Sequence, residues 1–434
     1  MNKHLLILIF FIPFLHLKSQ SLYFPPITGN TWDTISPSSL GWCTDQVGPL
    51  LDYLESNHTK AFILLKDGKI VIEKYFGSFT QDSVWYWASA GKTLTSFMVG
   101  IAQQEGHLSI NDLTSQYLGQ GWTDCITEQE DKITIRHQLT MTSGLHDGVP
   151  DNYCTLDTCL ICLADAGSRW AYHNAPYTLL DEVIQNATGV TLNNYINQKL
   201  KIPTGITGAF FPSGYNNVFF SKARSMARFG LLILNHGNWN GNQVMTDTSY
   251  FNQMVNTSQS LNLSYGYLWW LNGKASFRLP TLQLVLPGPL NPHAPDDMIA
   301  ALGKNGQIIN VVPGQNLVYI RMGDAPGAGE VGVAFNDTIW QKLNEVICDV
   351  SAVTDMNDMV GLKIYPNPAC QYFTIDLEEG YYDILIANAM GENVYEQTHV
   401  NGSVEIDRKE FPVGVYFVTV GTAGKYIVRK LIIQ

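Results

Sequence analysis

Ser89 and Lys92 are residue types that perform catalysis together when a fold holds them side by side. A serine hydroxyl is a weak nucleophile near neutral pH, and a lysine can act as its base when the surroundings lower the lysine pKa. The pair opens a helical pattern in which Leu94, Phe97 and Ile101 recur on one face. Side chains three residues apart on a helix are neighbours, and a helix N-terminus stabilises a developing oxyanion. The spacing therefore predicts a nucleophile beside its base, against the alternative of a helix cap and a solvated charge.

Apolar periodicity predicts the elements that must position this pair. A hairpin is predicted around Asp67 and Gly68, a favoured tight-turn pair. Helical periodicity follows Ser89 and again follows Pro176, and each run is followed by a glycine, Gly106 or Gly189. The predicted strands of this region are residues 61–65, 69–75, 307–312 and 317–322.

The Ser-x-x-Lys pattern is also the first motif of the β-lactamase and penicillin-binding protein superfamily. Residues 133–145, 224–230 and 265–270 resemble segments of the branch related to class C β-lactamases and to serine esterases and amide hydrolases of that fold. Together these segments cover most of residues 40–345. The resemblance implies an α/β fold of the β-lactamase and transpeptidase type, with an antiparallel sheet, packed helices and an all-helical lobe. It also implies a covalent acyl-enzyme on Ser89 and no cofactor.

The second motif of that branch is Tyr-x-Asn, and five tyrosines of this chain begin such a pattern: 172, 195, 215, 250 and 365. Tyr172 has the context that the resemblance requires, because it precedes a predicted helix about eighty residues beyond Ser89. By this resemblance Tyr172 exchanges protons with Ser89 and the leaving group, and Asn174 binds substrate or Lys92. The alternative is a half-buried aromatic residue followed by a helix cap.

The third motif aligns with Ala301, Leu302 and Gly303, followed by Lys304. The resemblance then implies that the backbone N–H groups of Ser89 and Lys304 form the oxyanion hole, while Gly303 allows close approach to the main chain. The alternative for the Lys304 side chain is a charge in a solvent-facing turn, and both interpretations of this residue are compatible.

Position 301 departs from the best-known relatives, which carry Lys or His there to hold a substrate carboxylate. Since Ala301 cannot form a charge-assisted hydrogen bond, we expect a neutral ester or simple amide to be a better substrate than a β-lactam. Apolar walls for such a substrate are expected from three tryptophans: Trp87, Trp269 and Trp270. Three side chains are alternative sources of the missing charge: Lys304, Arg278 and His293.

A second domain is predicted after residue 350, where helical periodicity gives way to short alternating runs. Strands are predicted over residues 373–377, 381–387, 403–406, 413–420 and 425–433, the pattern of a small β-sandwich. Residues 362–368, 414–418 and 428–433 resemble the type A sorting domain of the Bacteroidetes type IX secretion system, which makes that machinery an expected partner. The alternative is a carbohydrate-binding or adhesive module.

The predicted organisation is a signal peptide (residues 1–20), a hydrolase domain (21–350), a linker (351–360) and the sorting domain (361–434). Lys3 and the apolar run 5–15 are typical of a secretory signal, and no later segment predicts a transmembrane helix. The chain is thus expected to be exported through the periplasm and to be secreted or held at the surface. In that compartment the cluster Cys154, Cys159 and Cys162 predicts disulfides rather than a metal site.

Composition limits the possible functions. Of the 434 residues 45% are hydrophobic and 15% charged, which indicates a globular protein with a large core. The formal net charge of −12 comes without a basic block, which excludes nucleic acid as an expected partner. The sequence therefore predicts an exported serine hydrolase that cleaves an ester or amide bond of a small-molecule or peptide-like substrate. The alternatives are a D,D-peptidase or β-lactamase, and a catalytically silent surface binding protein on the same fold.

Overall fold

The computed structural model describes residues 22–326, 332–348, 362–377, 380–388, 393–422 and 425–434. The predicted signal peptide and linker lie outside these ranges. The chain divides into two compact units, Met1–Ile347 and Cys348–Gln434. Each unit is described by itself.

Eleven α-helices are described in the first unit. They are α1 (Val47–Ser56), α2 (Lys92–Gln104), α3 (Ser115–Leu118), α4 (Thr127–Glu130), α5 (Ile135–Leu139), α6 (Asn174–Thr188), α7 (Leu192–Ile196), α8 (Ile202–Thr204), α9 (Ala223–Leu234), α10 (Thr248–Met254) and α11 (Val333–Ile347). No helix of the described residues has the length and apolar character needed to cross a membrane.

Thirteen strands are described in the same unit. They are β1 (Thr59–Lys66), β2 (Lys69–Tyr75), β3 (Val84–Tyr86), β4 (Ala209–Ser213), β5 (Asn216–Lys222), β6 (Asn238–Trp239), β7 (Asn242–Gln243), β8 (Trp270–Leu271), β9 (Ser276–Phe277), β10 (Leu286–Pro287), β11 (Ile299–Gly303), β12 (Gln307–Val312) and β13 (Leu317–Gly323). The predicted hairpin is present as β1 and β2, and its turn residues Asp67 and Gly68 have φ values of 51° and 81°.

Six of these strands form the central antiparallel sheet, in the order β2-β1-β13-β12-β11-β8. Every residue of β12 and β13 is buried, so both faces of the sheet are covered. Since neighbouring residues of a strand face opposite sides, Val318 and Tyr319 contact different helices. A Cβ on Gly230 of α9 would lie 2.5 Å from Val318, whereas Tyr319 packs against Trp340 of α11. Gly230 thus lets α9 lie very close to the sheet.

Helix α2 is the centre of the helical lobe, and all of its residues from 92 to 102 are buried. Helix α6 packs against α2, and α3, α5 and α7 pack against α6. Glycines in the left-handed region follow both predicted helices, Gly106 at φ 75° and Gly189 at φ 74°. The antiparallel sheet, its covering helices and this lobe confirm the predicted fold class.

The cysteine cluster forms disulfide bonds. Cys125 is bonded to Cys162, and Cys154 to Cys159. These bonds occupy the thiols that a zinc site at the cluster would need, so the disulfide interpretation of the cluster is correct.

The second unit is an all-β sandwich. Its strands are β14 (Lys363–Tyr365), β15 (Tyr372–Asp376), β16 (Tyr381–Asn388), β17 (Asn393–Asn401), β18 (Val404–Asp407), β19 (Gly414–Thr422) and β20 (Lys425–Ile433). They form two sheets, β14-β15-β18 and β17-β16-β19-β20, around a shared apolar core. Strand β17 had not been predicted from the sequence, because it is a polar, mostly exposed strand at the end of its sheet.

Candidate active site

Ser89 lies in a 3-10 turn, Ala88–Gly91, that leads directly into α2. Ala88 has a φ of 46°, a left-handed conformation that is costly for a residue with a side chain and is often found at functional sites. Lys92 is the first residue of α2, with 1% of its surface exposed. Its Nζ donates a hydrogen bond to Ser89 Oγ at 3.1 Å. The predicted nucleophile and base are therefore in direct contact.

The side-chain nitrogen of Lys92 is enclosed by the start of α6 and the residues just before it. Its Nζ donates to Asn174 Oδ1 at 2.8 Å and lies 3.6 Å from the centroid of the Tyr177 ring. The centroid of the Tyr172 ring lies 5.3 Å from the same nitrogen. The amide group of Asn174 is oriented in turn, because its Nδ2 donates to Asn152 Oδ1 at 2.7 Å. These contacts fix where the lysine nitrogen lies relative to Ser89.

The structure brings only one of the Tyr-x-Asn patterns of the described residues into contact with Lys92, the one at Tyr172. Tyr172 is buried, stacks on Trp270 with ring centroids 5.9 Å apart, and meets Tyr265 edge to face. By contrast, Tyr195 belongs to α7 and donates to Glu105 at 2.8 Å. With the ring of Trp170, three aromatic rings pack against Tyr172 and limit its motion.

Two titratable groups are buried close to these residues. His173 lies between Tyr172 and Asn174, and burial lowers the pKa of its imidazole to about 4, so the ring is neutral at neutral pH. Asp181 lies two turns further along α6, and burial raises the pKa of its carboxyl to about 7. Asp181 accepts hydrogen bonds from Thr95 Oγ1 at 3.1 Å and from Asn217 Nδ2 at 3.0 Å.

The residues of the third motif lie at the end of β11, against the Ser89 turn. A Cβ on Gly303 would lie 2.6 Å from Trp87 O and 3.1 Å from Ser89 N, so no larger residue fits without a backbone shift. Ala301 is 1% exposed and belongs to the core. Lys304 follows Gly303 directly, and its side chain is exposed. Ser89 and Lys304 therefore lie at the same end of the sheet.

A cleft of about 440 Å³ opens at this point. Its described lining comes from the Ser89 turn, the sheet of β3, β4 and β5, one loop residue and the turn after β11: Tyr86, Ala88, Ser89, Tyr153, Ser213, Asn216, Val218, Phe220 and Lys304. Lys304 is the one charged residue of this set.

The prediction that three tryptophans form the apolar walls is wrong. Trp87, Trp269 and Trp270 are each at most 1% exposed, because they pack inside the hydrophobic core. The aromatic walls of the cleft are Tyr86, Tyr153 and Phe220 instead.

Two of the three cations considered as substitutes for the missing charge are engaged elsewhere. Arg278 donates to the carbonyl oxygens of Leu261 at 2.8 Å and Gln283 at 2.6 Å. His293 Nδ1 lies 2.7 Å from Asp337 Oδ2 on α11. Of the three, only Lys304 lines the cleft.

Sequence reasoning missed Tyr177, Asn152 and the residues of β5. Tyr177 follows Asn174 by three positions on α6, so its place on the same helix face was a usable signal. Residues 216, 218 and 220 of β5 all line the cleft, as alternate positions on a strand do. Asn152 had no local signal, because it reaches Asn174 from a loop.

The chain is similar to known proteins both in sequence and in structure. The chain is similar to an uncharacterised protein of Alkalihalophilus pseudofirmus, with 25% identity over 308 residues, 62% of this chain and 84% of the relative. One similar solved structure is described as "Putative 6-aminohexanoate-dimer hydrolase from Bacillus anthracis", with a TM-score of 0.55, 18% identity, and coverage of 77% of this chain and 89% of that one. A penicillin-binding protein homologue from Caulobacter crescentus has a TM-score of 0.54 and 13% identity, covering 71% and 98%. These structural likenesses support the fold.

Two family models match the sequence. The model described as secretion system C-terminal sorting domain matches residues 363–434, which indicates an exported protein that is secreted or located at the cell surface. The model described as beta-lactamase matches residues 54–330, more than half of the chain, and spans both the Ser89 turn and the turn after β11. The chain therefore belongs to the beta-lactamase family of serine hydrolases and carries a C-terminal sorting domain.

Proposed function

We propose that this protein cleaves an ester or amide bond through an acyl-enzyme on Ser89. The single observation that carries the proposal is the hydrogen bond of 3.1 Å between Lys92 Nζ and Ser89 Oγ, in a cleft large enough for a small substrate. Ser89 Oγ attacks the substrate carbonyl, and the neutral Lys92 amine takes the hydroxyl proton. Asn174 holds the lysine nitrogen in line with Ser89, since it accepts a hydrogen bond from it.

The oxyanion and the leaving group each need a partner. The backbone N–H groups of Ser89 and Lys304 are proposed to bind the oxyanion, and the close packing of Gly303 on the Ser89 turn supports this pairing. Tyr172 passes the proton to the departing alcohol or amine as the carbonyl–heteroatom bond breaks. A water molecule then attacks the ester that links the acyl group to Ser89, and Ser89 regains its proton.

The proposal favours esters and simple amides over β-lactams. Ala301 is an apolar core residue, so it offers no charge to a carboxylate on a β-lactam ring. Arg278 and His293 are held by other partners and do not replace that charge, and Lys304 lies in the turn after β11 rather than at the strand position from which relatives hold a β-lactam carboxylate. A D,D-peptidase or β-lactamase is the second candidate, on the ground of the shared fold alone.

Covalent labelling tests the proposal. The parent protein should react with a fluorophosphonate probe at Ser89 and should hydrolyse 4-nitrophenyl butyrate. In Ser89→Ala both the labelling and the ester hydrolysis should fall by several orders of magnitude, because the attacking oxygen is gone. The thermal unfolding temperature should stay unchanged, because the substitution removes little volume. Ser78→Ala, at an exposed serine of the same unit, is the matched control and should behave as the parent.

Substrate preference is measured with the same preparations. The kcat/KM for 4-nitrophenyl butyrate should exceed that for a chromogenic cephalosporin. A higher value for the cephalosporin would favour the β-lactamase alternative, whereas an unlabelled Ser89 together with no turnover of either substrate would favour a silent binding protein.

A further inference from the structure

Lys304 is a cation that faces the catalytic cleft. No hydrogen bond or salt bridge joins its ammonium group to the described residues, and its side chain is exposed at the cleft that also contains Ser89. The described residues that line this cleft include no aspartate or glutamate. Because lysines at protein surfaces are strongly hydrated, exposure alone would not distinguish this one. Its place directly after Gly303, beside the nucleophile, does.

The backbone that carries Lys304 is held rigidly. Asn305 adopts a φ of 62° and donates from Nδ2 to Tyr86 Oη at 2.6 Å. Arg321, which is fully buried, donates from Nη1 to the carbonyl oxygens of Asn305 at 2.6 Å and Gly306 at 3.0 Å. The turn therefore keeps its position relative to the Ser89 turn.

The β5 wall of the cleft is apolar in part and also offers a hydrogen-bond donor. Val218 and Phe220 present carbon surface from β5. Asn216 Oδ1 accepts hydrogen bonds from Tyr177 Oη at 3.2 Å and from Asn217 N at 2.9 Å, while its amide nitrogen has no hydrogen bond to the described residues. An acceptor-rich or anionic ligand group fits a cleft whose polar positions include this amide donor and the Lys304 cation.

We propose that the cleft selects acyl donors with a carboxylate at the end of a short aliphatic chain, and that the Lys304 ammonium group pairs with that carboxylate. This inference rests on the proposed function, in which the N–H of the same residue binds the carbonyl oxygen. One residue then fixes both ends of the acyl group, so the carboxylate must lie within one lysine side chain of the scissile carbonyl. Half-esters and half-amides of short dicarboxylic acids have this geometry. The sequence predicts a neutral acyl donor because of Ala301 and offers Lys304 as one alternative source of charge, and the position of Lys304 at the cleft favours that alternative.

Two aryl esters that differ in one charge test the inference. 4-Nitrophenyl hydrogen adipate carries a free carboxylate, and 4-nitrophenyl methyl adipate carries a methyl ester in its place. The parent should have a higher kcat/KM for the anionic ester, and added salt should reduce this preference. In Lys304→Met the anionic-to-neutral ratio of kcat/KM should fall about tenfold, whereas Lys304→Arg should retain most of it. The ratio cancels any general effect of the substitution on the oxyanion hole.

Lys222→Met is the matched control, because Lys222 is a lysine of β5 that already pairs with Asp82 at 2.6 Å. It should keep the parent ratio. A parent that prefers the neutral ester, or an unchanged ratio in Lys304→Met, overturns the inference while turnover and Ser89 labelling leave the proposed function standing. No turnover of either ester together with an unlabelled Ser89 overturns both.

Discussion

At the scale of single residues, a few short contacts give ordinary side chains their chemistry. Ser89 is next to Lys92 because a 3-10 turn leads into α2, and this turn places Oγ 3.1 Å from the Lys92 nitrogen. The start of α6 and the segment just before it supply the remaining contacts, with Asn174 as acceptor and the Tyr172 and Tyr177 rings around the lysine nitrogen. Removing any one of these contacts is expected to displace the lysine nitrogen relative to Ser89, and a displacement of about 1 Å can reduce a rate on the order of 100-fold.

Tyr172→Phe tests the role of the second motif. The substitution removes the phenolic hydroxyl and keeps the ring that stacks on Trp270. We expect kcat to fall by about 100-fold or more, because general acid–base groups contribute roughly 10² to 10⁴ in rate. Steady-state hydrolysis of 4-nitrophenyl butyrate and thermal unfolding measure the effect on rate and on stability separately.

The control for this prediction is Tyr195→Phe, which changes another Tyr-x-Asn pattern. That variant loses a hydrogen bond to Glu105 and should cost about 1 kcal/mol in stability, with kcat close to that of the parent. Equal activities of the two variants would contradict the assignment of the second motif to Tyr172.

At the scale of elements, the buried carboxyl group of Asp181 links the three elements that supply residues of the site, α2, α6 and β5. Asp181 of α6 accepts hydrogen bonds from Thr95 of α2 and Asn217 of β5. Helix α2 supplies Lys92, α6 supplies Asn174, and β5 supplies a wall of the cleft. The elements thus meet at a polar group whose charge depends on pH.

Asp181→Asn should change how stability depends on pH. Burial raises the pKa of Asp181 from 3.8 to about 7, so the folded state favours the neutral carboxyl. Its contribution to the free energy of unfolding is fully present below about pH 4 and is lost as the pH rises through about 7. An asparagine cannot ionise, so the variant should lose less stability than the parent between pH 5 and pH 8, by at least about 1 kcal/mol.

Urea denaturation at pH 5, 6, 7 and 8 measures this difference. Glu182→Gln, at the exposed neighbouring position of the same helix, is the control and should have the same pH dependence as the parent. Parallel curves for the parent and Asp181→Asn would contradict the raised pKa.

At the scale of the whole molecule, catalysis and export belong to separate units. The first unit has its own large apolar core, and the residues of the second form a distinct cluster. We propose that the type IX secretion machinery recognises the C-terminal unit and that this unit is removed during export. The same division predicts that the catalytic unit works alone.

A chain of residues 22–350 should therefore fold and hydrolyse 4-nitrophenyl butyrate with the kcat/KM of the full chain, within about twofold. In the native host, the intact mass of the exported protein should correspond to a start near residue 20 or 21 and an end near residue 360. An exported, active protein that keeps its C-terminal unit would favour an adhesive role for that unit.

Local sequence signals predicted the elements and the contact between Ser89 and Lys92. Alternation and a tight-turn pair predicted the hairpin at Asp67 and Gly68, and helical periodicity ended by glycine predicted α2 and α6. Ser89 and Lys92 are three residues apart, so the geometry of one helix start brings them together. Such features depend on the backbone of a short segment, and the types and order of neighbouring residues are enough to specify them.

Only the tertiary structure decided what surrounds that pair. The sequence pattern did not reveal β17, because an exposed strand at a sheet edge needs no apolar alternation. It also placed Trp87 at the cleft, whereas packing against Phe219 and Phe229 buries that ring in the core. The cleft combines Tyr86, residues of β5 and Lys304, which are far apart along the chain. These residues come together only through the packing of strands and helices. Contacts between distant segments leave no periodic signal in either segment, so the sequence pattern could not predict the cleft.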